Sequence, residues 1–168
     1  MLPDRLAPDD FAAAPRTHEG RLALARMPHL APLLAAAEGE AWLQIASSLD
    51  EHGQRVLEGR IEAAVPLTCQ RCLGLYRYPV AEAFRVVVVG SEAEGEDLPA
   101  EAEPYVSAGP VQPQAVAEEE ILLALPAVAL HPSGACEAPA HDAGAQRETL
   151  SPFAVLRGRV RSDGEDGA

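Results

Sequence analysis

The clearest pattern along the chain is an alternation of apolar and polar residues from residue 57 to residue 69. Successive side chains of a β-strand point to opposite faces of its sheet. The alternation therefore predicts a long strand with one face on the core and the other in water. It also places Cys69 on the inner face, at the end of the strand. The residues expected on the inner face are Leu57, Gly59, Ile61, Ala63, Val65, Leu67 and Cys69, and those expected on the outer face are Glu58, Arg60, Glu62 and Thr68.

Weaker patterns on both sides predict further strands next to this one. Residues 41–49 read as a strand with Leu43, Ile45 and Leu49 on one face, and residues 50–53 (DEHG) have the composition of a hairpin turn. Beyond Cys72 the chain returns through regularly spaced apolar residues at 76–88. We therefore expect an antiparallel meander of three or more strands, with Cys69 and Cys72 at one tip.

Two segments have the spacing of helices. Residues 30–37 place apolar side chains at positions i, i+3, i+4 and i+7, which is the stripe of a short amphipathic helix. Residues 114–125 combine three glutamates near the start with isoleucine and leucine after them, and Pro126 ends the segment. The predicted fold class is α+β: an antiparallel β-meander flanked by two short helices, with a flexible acidic loop and a flexible C-terminal tail.

The composition divides the chain into three parts. Residues 1–29 mix Pro, Asp and Arg with short apolar pieces, and we expect an extended N-terminal arm with at most one short strand. We expect residues 30–130 to form a single α+β domain that contains the Cys-x-x-Cys turn at residues 69–72, called the knuckle. Within this domain, the acidic residues 90–113 are predicted to form a long surface loop without regular structure. Residues 131–168 have the composition of a flexible tail, in which 151–156 is an apolar segment suited to docking.

The net charge of −13 is concentrated in one part of the chain. Residues 86–146 contain 11 acidic residues and no arginine, so they carry −11 and the rest of the chain carries −2. An acidic excess repels nucleic-acid phosphates and favours basic partners such as ribosomal proteins. It argues against DNA as a partner and against charge-driven RNA binding, whereas direct RNA contact by the arginines of the tail stays open.

Neither secretion nor membrane insertion is indicated. The N-terminal residues lack the basic and apolar regions of a signal peptide, and no stretch approaches the ~20 apolar residues of a membrane span. Three cysteines are too few for a secreted disulfide scaffold. We therefore expect a cytoplasmic protein with no membrane partner.

Two of the three cysteines, Cys69 and Cys72, form a Cys-x-x-Cys. This motif serves as half of a metal site, as a redox pair or as hairpin packing. Cys136 with His131, or Cys136 with His141, would supply the second pair of a tetrahedral zinc site. The candidate metal ligands are thus Cys69, Cys72, His131 and Cys136, with zinc as the candidate cofactor and metal-free packing as the alternative. A redox pair is disfavoured because strands, and no helix N-terminus, flank the motif.

No arrangement of residues indicates catalysis. The consecutive Glu118, Glu119 and Glu120 point in different directions on a helix, and no nucleophile accompanies them. The chain contains no phosphate loop and no dinucleotide fingerprint. We therefore do not expect an enzyme. The candidate partner-binding residues are Glu118 and Glu119 in the acidic block, and Phe153, Leu156, Arg157 and Arg159 in the C-terminal part.

Four pieces of sequence occur in order and together resemble the YceD family of bacterial proteins: LTCQRCL, LPAEAEPY, EEEILLALPAVALHPSGAC and SPFAVLRGRV. The resemblance covers about residues 20–160, and Ser151 stands where the family usually has asparagine. It implies a non-enzymatic role in the synthesis, processing or stability of large-subunit ribosomal RNA during ribosome assembly. The expected partner is a large-subunit precursor or a basic ribosomal protein. The alternative is a small zinc-binding module with a structural or metal-delivery role.

Overall fold

A computed structural model describes residues 1–137 of the chain. They form an α+β fold built on one five-stranded sheet with the order β1-β2-β3-β4-β5. The strands are β1 (Arg16–Ala23), β2 (Glu40–Leu49), β3 (Arg55–Thr68), β4 (Leu75–Val89) and β5 (Glu103–Val106), and the helices are α1 (Glu92–Glu96) and α2 (Pro113–Ala124). Short 3₁₀ turns occupy Pro8–Asp10, Leu24–Arg26 and Ala31–Leu33.

Strands β1 to β4 form the predicted antiparallel meander. The carboxylate of Asp50 closes the β2–β3 turn by accepting hydrogen bonds from the backbone N–H groups of His52 and Gln54. Gly59 pairs with Phe84 across β3 and β4, and any side chain at Gly59 would overlap the Phe84 ring. The absence of a Cβ at this position therefore lets the aromatic ring pack directly against the backbone of β3.

The fifth strand corrects the expectation of a purely antiparallel sheet. Strand β5 pairs with β4 in parallel, in a register that joins Val86 to Glu103 and Val89 to Val106. The chain reverses through α1, whose first turn is capped because Ser91 Oγ accepts a hydrogen bond from the N–H of Glu94. The acidic residues 90–113 therefore contain a helix and a strand instead of an irregular excursion.

The helix expected at residues 30–37 does not form. Only the 3₁₀ turn Ala31–Leu33 is present, and the chain then runs on so that the N–H of Ala35 donates to the carbonyl of Pro66. The backbone of Leu34 is already extended, with φ −71° and ψ 134°, and the hydrogen bond from Ala35 to β3 takes the place of a further helical turn. Within residues 1–137 the α-helices are α1 and α2, both on the C-terminal side of the meander.

The core lies between the inner face of the sheet and α2, which packs against β2, β3 and β4. Residues 1–29 contribute β1 to the sheet and place Leu6, Leu24 and Met27 in this core. Leu6 also forms a backbone bridge with Val111, just before α2. The core therefore extends across the boundary expected at residue 30.

The C-terminal residues 138–168 lie outside the described part of the chain. They include the apolar segment 151–156 and the candidate partner-binding residues Phe153, Leu156, Arg157 and Arg159. Within residues 1–137, no helix is long and apolar enough to cross a membrane.

Candidate metal centre

The knuckle between β3 and β4 presents Cys69 and Cys72 at one tip of the sheet. Its turn is closed by two backbone hydrogen bonds, from Cys69 N to the Gly74 carbonyl at 2.9 Å and from Leu73 N to the Cys69 carbonyl at 2.8 Å. Each cysteine sulfur also accepts the N–H two residues further on, from Arg71 and from Gly74, at 3.4 Å in both cases. Leu73 has a φ of 61° and occupies the left-handed region. The backbone therefore aims both sulfurs toward the same side of the turn.

Residues 129–136 complete the centre by folding back over the knuckle. Their backbone is fixed there because Gln70 N donates to the Ala129 carbonyl at 2.8 Å and the Arg71 guanidinium donates to the His131 carbonyl at 2.9 Å. The N–H of His131 itself donates to the sulfur of Cys69 at 3.4 Å. A turn with Gly134 at a φ of 80° then brings Cys136 back to the site.

The four candidate ligand atoms have the spacing of a tetrahedral site. The three sulfurs and one imidazole nitrogen of Cys69, Cys72, His131 and Cys136 all lie within 4.8 Å of one another. Cys69 Sγ lies 3.9 Å from Cys136 Sγ, and Cys72 Sγ lies 3.4 Å from His131 Nδ1. A zinc ion with bonds of ~2.3 Å to sulfur and ~2.0 Å to nitrogen would set these edges at about 3.8 and 3.5 Å. The donor set therefore fits a structural Cys3His zinc site.

The electrostatics of the cysteines favour metal binding at Cys69 in particular. Burial alone would raise the pKa of the Cys69 thiol, but the backbone N–H groups of Cys72, His131 and Arg71 outweigh it and lower this pKa to about 5. Burial, together with the sulfurs of Cys72 and Cys69, raises the pKa of Cys136 to about 11. The thiolate is the metal-binding form of cysteine, and a divalent cation at the centre would favour the thiolate of Cys136 against the burial and the neighbouring sulfurs that raise its pKa.

The structure thus brings together the four residues that the sequence singled out as candidate ligands. His131 and Cys136 belong to a structured segment and not to a flexible tail, whereas His141, the other candidate, lies outside the described residues. The N–H groups that stabilise the sulfurs were not predictable from residue types. The ring of His131 also lies 4.8 Å from that of Tyr76, centroid to centroid, which orients the imidazole from the β4 side.

The two glutamates proposed for partner binding have different environments. Glu118 is 5% exposed, and its Oε1 accepts hydrogen bonds from the N–H groups of His29 at 2.5 Å and Leu30 at 2.9 Å. It is therefore a structural residue that anchors α2 to the N-terminal part of the chain. The expectation that Glu118 contacts a partner is thereby corrected, and its spacing of three residues from the buried Ile121 is the sequence signal that could have indicated the inward position. Glu119 is exposed and available to a partner.

The exposed carboxylates form an acidic surface along α1, β5 and the middle of α2. Half-buried Glu120 belongs to it, and burial followed by repulsion from Glu103, Glu119 and Glu82 raises its pKa to about 7. The exposed members are Glu92, Glu94, Glu96, Asp97, Glu101, Glu103 and Glu119. This clustering means that part of the negative charge is held on ordered elements and not on an irregular loop.

Comparison with known proteins places the chain in a family. A family model described as "Large ribosomal RNA subunit accumulation protein YceD" matches residues 57–158, which is more than half of the 168 residues and contains all four candidate ligands. The chain therefore belongs to the YceD family. It is also 29% identical over 163 residues to the "Large ribosomal RNA subunit accumulation protein YceD" of Haemophilus influenzae, covering 92% of this chain and 94% of that protein. No solved structure matches the chain.

Proposed function

We propose that this protein supports the accumulation of large-subunit ribosomal RNA as a non-enzymatic factor in ribosome assembly. The observation that carries the proposal is the family match over residues 57–158. The similarity to the relative from Haemophilus influenzae supports it, because that relative's name states this role and the alignment covers nearly the whole of both chains. The proposed place of action is the cytoplasm.

The acidic surface is the proposed contact with a basic ribosomal protein or with a precursor particle that displays one. Seven exposed carboxylates between residues 92 and 119 face solvent. Complementary charge speeds the encounter of two partners and suppresses wrong ones, while the affinity depends on other contacts. Such a surface repels exposed RNA phosphates, so the protein would recognise a protein component of the particle.

Zinc is the proposed cofactor, and its role is structural. The three cysteines and one histidine of the candidate site would take all four positions of a tetrahedral zinc ion and would leave no open position for a substrate. Bound zinc would hold residues 131–136 against the knuckle and so fix the surface at this end of the sheet. A structural zinc site is therefore compatible with a role in ribosome assembly. A metal-delivery protein needs an accessible ion, so the closed set of four ligands favours the structural role.

The test of the function is rescue of cells that lack the protein. We expect the ratio of large-subunit to small-subunit ribosomal RNA to fall on depletion and to recover with the wild-type chain. A Glu92→Gln/Glu96→Gln variant should rescue less well, whereas the matched variant Glu51→Gln/Glu62→Gln, which removes two exposed carboxylates elsewhere, should rescue fully. An unchanged ratio on depletion would contradict the proposed function, and equal rescue by both variants would contradict the role of the acidic surface.

A further inference from the structure

Arg71 lies between the two cysteines of the knuckle and is half-buried beside the candidate metal centre. Its guanidinium donates a hydrogen bond to the carbonyl of His131 at 2.9 Å, and its backbone N–H donates to the sulfur of Cys69 at 3.4 Å. This residue therefore contacts the centre through both its side chain and its backbone. The side chain also brings a permanent positive charge, because an arginine guanidinium is not deprotonated in proteins.

The positive charge of Arg71 has no carboxylate partner within residues 1–137. The Nε atom of its guanidinium is also buried and has no hydrogen-bond partner in this part of the chain. A buried charged donor without a partner is unfavourable, so negative charge of another kind beside Arg71 would stabilise it. The ion pairs of the described residues use other cations, namely Arg16, Arg21, His29, His52, Arg77 and Arg85.

The cysteines of the centre can supply this negative charge. Three thiolates and one neutral imidazole around a divalent zinc ion carry a net charge of about −1. The guanidinium lies close enough for its charge to act on the sulfurs: burial, followed by the sulfurs of Cys72 and Cys69, raises the pKa of Cys136 to about 11, and the charge of Arg71 opposes that rise. Arg71 and a zinc-loaded centre would therefore have complementary charges.

We infer that Arg71 is the charge-compensating residue of the metal centre. Its guanidinium offsets the net negative charge of the zinc–thiolate group and so determines how tightly the ion is held, without being a ligand itself. This inference rests on the proposed zinc cofactor and adds to it a positioning residue beyond the four candidate ligands. Residues that support metal ligands in this way typically change metal affinity by about 10- to 100-fold when they are replaced.

A purely mechanical role is the alternative, because the hydrogen bond from Arg71 to the His131 carbonyl also holds a ligand-bearing segment in place. The two roles make different demands on the side chain at position 71. Charge compensation requires a cation, whereas a mechanical role requires only a hydrogen-bond donor that reaches the carbonyl. Variants that separate charge from hydrogen bonding therefore decide between them.

The test is the zinc affinity of the full chain, measured under reducing conditions at one fixed pH by competition with a chromogenic chelator. Arg71→Gln removes the charge and keeps an amide donor, and its zinc dissociation constant should rise about 10- to 100-fold. Arg71→Lys keeps the charge but lacks the planar fork of the guanidinium, so its dissociation constant should stay within about threefold of that of the parent.

A control variant and a second metal complete the experiment. Arg85→Gln is the matched control, because it removes one positive charge from the half of β4 that lies away from the knuckle, where Arg85 pairs with Glu58 at 2.9 Å. Its zinc dissociation constant should equal that of the parent. Cobalt(II) in place of zinc gives a ligand-field absorption that reports the ligand geometry, and this absorption should be the same in Arg71→Gln as in the parent, because all four ligands remain.

The outcomes separate this inference from the cofactor on which it rests. A parent chain that binds no zinc would overturn both. Equal zinc affinities of the parent and Arg71→Gln would overturn the inference alone and leave the centre in place. Equal losses in Arg71→Lys and Arg71→Gln, or a cobalt absorption altered in Arg71→Gln, would also overturn it, because Arg71 would then act only by holding His131. An equal loss in Arg85→Gln would do the same, because it would indicate a general effect of net charge.

Discussion

The anchoring role of Glu118 makes a prediction that separates structure from partner binding. The buried Oε1 of Glu118 is the acceptor for the backbone N–H groups of His29 and Leu30. Replacement of Glu118 by Ala leaves both donors without an acceptor while α2 still covers them. The expected result is a large loss of stability with no new defect specific to partner binding.

The magnitude follows from the two hydrogen bonds. A buried donor that loses its acceptor costs about 1–3 kcal/mol, and the Leu30 bond is buried while the His29 bond is partly buried. We therefore expect Glu118→Ala to lower the free energy of unfolding by about 3–5 kcal/mol. For a domain of this size each kcal/mol corresponds to roughly 3 °C, which predicts a fall of about 10 °C or more in melting temperature.

The assay is thermal and urea unfolding of the full chain followed by circular dichroism, with two companion variants. Glu118→Gln keeps a neutral acceptor oxygen, and neutral hydrogen bonds are roughly half as strong as charged ones, so its loss should be intermediate. Glu119→Ala changes the neighbouring exposed carboxylate and should shift the free energy of unfolding by less than about 0.5 kcal/mol. Equal effects of Glu118→Ala and Glu119→Ala would refute the reasoning.

Three further predictions concern the metal centre, the acidic surface and the sheet. Under reducing conditions the purified chain should bind one zinc ion, measured by plasma mass spectrometry, and both Cys69→Ser and Cys136→Ser should lose it; zinc retained in either variant would contradict the centre. Because folding raises the Glu120 pKa from 4.5 to about 7, its contribution to stability is greatest at low pH and falls as pH rises through that interval; Glu120→Gln should flatten this decline in urea titrations. Gly59→Val should cost about 3 kcal/mol or more because its side chain overlaps the Phe84 ring, and a stability within 0.5 kcal/mol of the parent would contradict that packing.

The antiparallel meander was predictable because apolar and polar residues alternate along its strands. The alternation in β3 reports burial residue by residue, and the structure keeps Leu57, Ile61 and Val65 buried on the predicted face. Strand β5 has no such signal, because its parallel pairing with β4 is made by backbone groups that every residue possesses. The helix expected at residues 30–37 does not form because the chain turns to extended backbone at Leu34 and pairs Ala35 with Pro66 of β3, a tertiary contact that the spacing of apolar side chains does not encode.

The candidate site was predictable in part for a related reason. Residue type and spacing identified Cys69, Cys72 and Cys136 together with either His131 or His141, since thiols and imidazoles are the ligands that zinc prefers. Their meeting depends on the backbone contacts from Gln70 to Ala129 and from Arg71 to His131, which residue type does not encode. The inward position of Glu118 was accessible from helical spacing, but its backbone partners lie 88 and 89 residues away in the chain.

The most direct test of the proposed function is sedimentation of the protein with ribosomal particles. Lysate of cells that carry the tagged chain is separated on a sucrose gradient at low salt, and every fraction is probed for the protein and for ribosomal RNA. The account predicts that the protein migrates with large-subunit precursors and not with mature ribosomes, and that Glu92→Gln/Glu96→Gln weakens this association. Protein that remains at the top of the gradient at low salt would contradict stable binding to a precursor particle.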